Sequence, residues 1–545
     1  MKTLLKNRPE MPIRLWAILI LFLLCLSSIP ILPANAQEER FEWGSPMPMT
    51  GPQRTLALMV EFSDVKFSNP RRAEQVMKML GDFIEKSSYG KAWLDYYIYP
   101  KVITLPKPMS YYGAPESGKQ RGDDKRSYEY LLTIIEFVKR KSGLDITEFK
   151  HIAIIHAGGD EAVSGSPNDL WSFCACGVNK LLYFLIEKYG FDEVEESLLE
   201  EGYDHIVKLY MHRKKDGTGH LLNGIVTVAE DDAPSIMMHE FTHSLWINDL
   251  YVYAEDGYSV GSEVGVWSNM DYGPFLEPPV DIDGWSKYLL GWIEAVEVKK
   301  DGEYTIHTLD KADEPHALII PINDEEYYFI HTRRPMGQDA ALPCPGILVF
   351  RVNKYLSRNV EGRPFMCKML DAHPDTPPEC SSMDKQFIRL CEGLDAPYIG
   401  PNGHRGTWGR FQINLINGEL KTAEGYYIKV IDFDEKRGVA KILVSIGKTA
   451  PEKTTTETET TETEATDVTE IMTETVTQTI TVTSREAVTR TQIETTTVVE
   501  TVVREELGIL SYGLIAVSIM LVLALVIVVS RRRTPPPPPP AYPSW

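Results

Sequence analysis

The pentad His239-Glu240-Phe241-Thr242-His243 constrains the fold more than any other stretch of the chain. Two histidines four residues apart meet on one face only if the backbone between them is helical, so a helix is required here, near the middle of the sequence. Pro234 suits a first helical position, and Asp231 and Asp232 suit the positive end of the helix dipole. Neutral imidazoles are good ligands for Zn2+, which takes a third protein ligand and leaves a position open to water. Glu240 reaches into the same cleft, placed to accept that water's proton as general base.

A chain of 545 residues that is 43% apolar can bury a large core, and its length suggests two globular domains with appendages. Its net charge of −21 excludes the clustered Lys and Arg that a nucleic-acid partner needs. Residues 1–36 read as a signal peptide: Lys2, Lys6, Arg8 and Arg14 precede an apolar run from Leu15 to Leu26, and Ala34-Asn35-Ala36 makes a cleavage site. Cleavage removes Cys25 and leaves Cys174, Cys176, Cys344, Cys367, Cys380 and Cys391, an even set that favours disulfides in an exported chain. Cys174 and Cys176 stand too close for an easy mutual bridge, so each is expected to reach elsewhere, while the last four are expected to staple a long loop.

After a short segment, 37–53, the stretch 54–300 alternates strand and helix patterns. Strands are expected at Arg54 to Asp64, Trp93 to Tyr99, His151 to Gly159 and Gly224 to Ala229; helices at Arg72 to Lys86 and Tyr128 to Arg140. Such alternation implies an α/β (α+β) sheet with the His239–His243 helix packed against it. Val178 to Met211 reads as an acidic helical insertion. From 301 to 447 short alternating strands imply an antiparallel β domain, in the manner of a sandwich. The stretch 448–506 is rich in Thr and Glu without an aromatic residue, and is expected to be a disordered stalk. Next come an uncharged apolar run, 507–530, and Arg531-Arg-Arg533, a combination expected to make one transmembrane helix with its C-terminal end inside. The tail, 531–545, includes a polyproline run. These features place the chain in the cell membrane, single-pass, with the 54–300 domain outside.

Several blocks carry a resemblance to a known family. They are Leu58-Met-Val-Glu-Phe-Ser-Asp64, Leu105-Pro with Tyr111-Tyr-Gly113, His156-Ala-Gly with Asp169-Leu-Trp171-Ser, Trp285-Ser-Lys-Tyr-Leu-Leu-Gly-Trp292, Glu326-Tyr-Tyr-Phe-Ile, and Gly337-Gln-Asp-Ala-Ala-Leu-Pro343 with Gly346-Ile-Leu-Val-Phe. In this order around the His239–His243 helix, they resemble the immune inhibitor A-like family of secreted zinc metalloproteases, from about Arg54 to Asn353. The resemblance implies a zincin-like catalytic domain of metzincin type, with Met270 in a turn beneath the metal and Tyr272 stabilising the oxyanion, as a tyrosine does in some metzincins. It also implies a third metal ligand at Asp249, through a pattern H-E-x-x-H-x-x-G-x-x-D.

This chain departs from that pattern by placing Trp246 where the family has glycine. If the turn is made despite the tryptophan, Asp249 is the ligand; if the helix runs on, Glu263 is the best substitute. The family's Glu-Asn-Arg after the Glu326 block is replaced by His331-Thr332-Arg333. The expected function is that of a cell-surface zinc endopeptidase acting on protein or peptide substrates, with His239, His243 and a carboxylate on the metal and Glu240 as base. The rival is a surface adhesion or surface-layer component that keeps the fold without turnover. Calcium stays open, since the scattered acidic residues form no recognisable loop, and no oligomeric state is implied.

Overall fold

Residue parity along the first strand, β1 (Gly51–Glu61), sets the layers. The computed structural model describes residues 40–447 except 116–123, 125, 256, 258, 375–389 and 410. Ala57 and Met59 of β1 join one hydrophobic core, and Leu56, Leu58 and Val60 join another. Successive strand side chains point to opposite faces, so a run apolar at every position is one covered on both sides. One cover is α1 (Arg71–Ser87), whose Ala73, Val76, Met77, Leu80, Phe83 and Ile84 form a buried stripe at helical spacing. At about 1.5–3 kcal/mol for each large apolar side chain removed from water, that stripe fixes the helix to the sheet. The other cover is α2 (Ser127–Lys141), through Tyr130, Leu131, Ile134, Ile135 and Val138.

Beside β1 lie β2 (Ala92–Ile98), β3 (Ile103–Thr104), β4 (His151–His156), β5 (Phe173–Ala175) and β6 (Gly224–Ala229). They run in the order β2-β1-β4-β6-β5, with β3 pairing on β1. β1, β2, β3, β4 and β6 are parallel, whereas the terminal strand β5 is antiparallel to β6. Helix α3 (Pro234–Ser244) follows β6 after a short turn, with Pro234 in its first turn as expected. Its Met237, Met238 and Phe241 share a core with α1 and with Ala153, Ile155, Val226 and Val228 of the sheet. Gly224 permits this approach, because a Cβ there would lie 2.7 Å from the Cβ of Ser244 at the end of α3. The insertion is helical over Asn179–Tyr189, Phe191–Glu200 and Asp204–Tyr210, with a small core of its own around Leu182, Val194, Val207 and Met211.

Most of the later strands form two larger sheets. One carries Ala295–Glu297, Ala317–Pro321, Glu326–Arg333, Gly346–Asn353 and Cys367–Leu370; the other carries Gly302–His307, Val439–Ser445, Tyr427–Asp434 and Glu419–Lys421. Parity again assigns the faces. Tyr328, Ile330, Ile347 and Val349 pack with Ile428, Val430, Ile442 and Val444 of the second sheet. Phe329, Leu348, Phe350 and Val352 point the other way, into the core that also holds α1 and α3. The first of these sheets therefore serves two cores, and 54–300 and 301–447 share one of them.

The fold is mixed α/β with several sheets, and the expected fold class needs one correction. A membrane-spanning helix is not supported: among the described residues no helix is long and apolar enough to cross a membrane. A span needs about 20 apolar residues, whereas α1, with 17 residues, is exposed and charged along one side. The stretch expected to span, 507–530, lies outside the described residues, as do the signal peptide, the stalk 448–506 and the tail 531–545. Single-pass placement in the cell membrane rested on that helix and is withdrawn with it.

The cysteine expectations are corrected too. Cys174 and Cys176 are bridged to each other, their Cα atoms 5.7 Å apart and within ordinary disulfide reach. Cys344 and Cys367 are buried free thiols, Cys344 donating to the Leu394 carbonyl, so they behave as small core residues rather than staples. Cys391 is disulfide-bonded, and Cys380 lies outside the described residues.

Candidate metal centre

Helix α3 aims both imidazoles by anchoring the nitrogen that does not face the cleft. His239 Nδ1 donates to the Asn269 carbonyl and His243 Nδ1 to the Ile247 carbonyl, each at 2.7 Å. A carbonyl can only accept, so each Nδ1 carries the proton and each Nε2 is turned inward. The two Nε2 atoms lie 3.3 Å and 3.1 Å from one oxygen of Asp249. His239, His243 and Asp249 thus offer three ligand atoms within 4.8 Å of one another. Neutral imidazoles and a carboxylate set acceptor against acceptor here, and the cluster is relieved either by protons on Nε2 or by a cation between the three. The residues can hold a metal ion; the donor set alone does not single out zinc.

The chain turns at Trp246 instead of continuing the helix. α3 ends at Ser244, and Trp246 takes a left-handed backbone with φ of 70°. That conformation costs a bulky residue roughly 1–2 kcal/mol. Packing offsets the cost: Trp246 is buried, its ring lies against Tyr183, and its Nε1 donates to the Asn223 carbonyl at 3.2 Å. Trp246→Gly is expected to relieve the strain yet lose a buried indole worth about 3–5 kcal/mol. A net loss of about 1–4 kcal/mol should appear in denaturant unfolding, with metal stoichiometry unchanged; a more stable variant would show that strain dominates.

Glu263 is not part of the ligand group. It lies in a turn organised by Asp271, whose carboxylate accepts from Ser262 Oγ and from the backbone N–H groups of Glu263, Val264 and Gly265. The same loop brings Asn269 to His239, and the Met270 carbonyl accepts from the Leu250 N–H at 2.9 Å. Met270 itself is fully buried in the core that holds α3. Tyr272 packs its ring against Phe275 beside that helix.

Charge around the cleft is strongly coupled. Burial works to lower the pKa of both histidines, but Asp249, with Glu240 adding its charge at His239, outweighs burial and raises both. Burial would raise Asp249, yet the two imidazoles hold it well below the usual carboxylate range. Glu240 is pushed up to about 8 by burial first, with Asp249, Asp160 and Asp232 acting the same way against His239. A divalent charge beside Glu240 works in the opposite direction. Asp232 is itself pushed up to about 7 by burial and by Asp160, although Ser172 Oγ and the Ala229 N–H donate to it.

Sequence reasoning passed over Asn269, Asp271, Tyr251 and Tyr253. The tyrosines were detectable: in Asp249-Leu-Tyr251-Val-Tyr253 an extended backbone puts every second residue on one face. No protein-family model matches the chain, and no curated protein matches it.

Proposed function

We propose that the chain is a zinc-dependent endopeptidase, related to the immune inhibitor A-like proteases its sequence resembles. The observation that carries this proposal is the convergence of His239 Nε2, His243 Nε2 and Asp249 Oδ1 on one point, with both Nδ1 atoms tied to backbone carbonyls. Zinc suits two imidazoles and one carboxylate, and when bound it supplies Lewis acidity toward water and a substrate carbonyl. Glu240 follows the first ligand directly on α3, and its half-buried carboxylate is suited to take a proton from attacking water and return it to the leaving amine. The terminal strand β5 packs against α3 and, among the described residues, pairs with no strand on its outer side, which suits an extended peptide adding by strand pairing. Trp246 kept the non-catalytic alternative open, but the turn it makes delivers Asp249 to the histidines.

The test compares the parent chain with Glu240→Ala for bound zinc and for cleavage of a casein-type substrate. The parent is expected to bind zinc stoichiometrically and to lose cleavage on chelation. Glu240→Ala should keep the metal and lose cleavage by about 10²–10⁴-fold, the usual weight of a general base. Full activity in that variant would sink the mechanism, and a zinc-loaded parent that cleaves nothing would favour the adhesion alternative.

A further inference from the structure

We propose that Tyr253 is a positioning residue that restricts Asp249 to single-oxygen coordination, a role that rests on the metal-centre assignment above. Asp249 Oδ1 faces the two imidazoles, while Oδ2 accepts the Tyr253 hydroxyl at 2.5 Å. The short charge-assisted bond holds Oδ2 toward the Tyr253 hydroxyl, so swinging that oxygen toward an ion seated at Oδ1 works against it. The Tyr251 and Tyr253 hydroxyls lie 3.1 Å apart. Tyr253 has one proton and gives it to Asp249, so Tyr251 donates to Tyr253, and a relay runs from Tyr251 through Tyr253 to the ligand.

The ring that carries this hydroxyl is held on several sides. Tyr251 lies 5.0 Å away ring to ring, and the Arg358 guanidinium stands 6.0 Å above the Tyr253 ring. The strand Val252–Tyr253 pairs with Ser259–Gly261 and with Asn359–Val360. Tyr253 O accepts from the Glu361 N–H at 2.8 Å, and Asn359 Nδ2 donates to the Leu250 carbonyl at 2.7 Å. Residues 359–361, from the β-rich part of the chain, thereby fix the segment that orients the third ligand. Outer partners of metal ligands fix their orientation and typically account for a 10–100-fold change in affinity.

Tyr253→Phe keeps the ring and removes only the hydroxyl. Zinc affinity is measured by competition with a chromophoric chelator, and coordination by the visible spectrum after cobalt substitution, for the parent, Tyr253→Phe and Tyr251→Phe. We expect Tyr253→Phe to bind zinc roughly 10–100-fold more weakly and its cobalt spectrum to lose intensity, as a second carboxylate oxygen raises the coordination number. Tyr251→Phe should show a smaller change of the same kind. Parent-like affinity in Tyr253→Phe overturns the proposal, and so does weaker binding with an unchanged cobalt spectrum, the result of a merely structural role. X-ray absorption of the zinc-loaded parent gives a test that needs no variant: the scattering of a chelating carboxylate there overturns it. A parent that binds no zinc would instead refute the metal centre itself, so the two failures are distinguishable.

Discussion

Asp249→Ala is expected to weaken zinc binding about as severely as loss of either histidine, by more than the roughly 10–100-fold that outer partners command. Glu263→Ala should leave zinc binding close to the parent. The difference follows from the left-handed turn at Trp246. Had α3 run on, six residues past His243 would have carried Asp249 roughly 9 Å along the axis and out of reach. Instead its Oδ1 lies within 3.3 Å of both Nε2 atoms, while Glu263 sits in the turn around Asp271. Equilibrium dialysis of the two single variants decides the matter. Undiminished binding in Asp249→Ala would refute the ligand assignment, and severe loss in Glu263→Ala would transfer it.

How much of this was legible depended on whether the signal was local. The His239–His243 helix followed from spacing alone, because a four-residue repeat has one geometric meaning in a helix. The buried strands of the first sheet followed from unbroken apolar runs such as Ile152 to Ile155. Trp246 was ambiguous: local preference opposes a left-handed tryptophan by about 1–2 kcal/mol, and only the tertiary packing against Tyr183 and Asn223 overrides it. The Cys174–Cys176 bridge is illegible for a related reason, since two-residue spacing discourages a bridge in general but the local backbone brings the Cα atoms to 5.7 Å. The shared core between residues before and after 300 was invisible, because the unbroken apolar run Tyr327 to Ile330 shows that both faces are covered without showing what covers each.

Arg333, in the tripeptide His331-Thr332-Arg333, had no meaning in the sequence, and the structure gives it one. The side chain is fully buried. Its guanidinium pairs with Asp339 through two nitrogens and donates to the carbonyls of Trp267 and Asp281. Asp281 also accepts Lys287 Nζ at 2.6 Å and Ser87 Oγ at 2.6 Å. The Asp281 carbonyl further accepts the Asn269 N–H, and Asn269 O is the anchor of His239. A continuous path of hydrogen bonds therefore runs from the strand Glu326–Arg333 to His239. Arg333→Met removes the cation and strands Asp339 in the core, and breaking a buried pair from one side costs about 3–5 kcal/mol. We expect a loss of that size in denaturant unfolding of the metal-free protein. Replacing both partners, as Arg333→Met with Asp339→Leu, removes the stranded charge and should recover part of the loss. Recovery stays incomplete because the Trp267 carbonyl loses the Arg333 donor and the Asp281 N–H loses the Asp339 acceptor. A single variant within about 0.5 kcal/mol of the parent, the range of an ordinary surface substitution, would show that the network does not hold the Asn269 loop to the sheet.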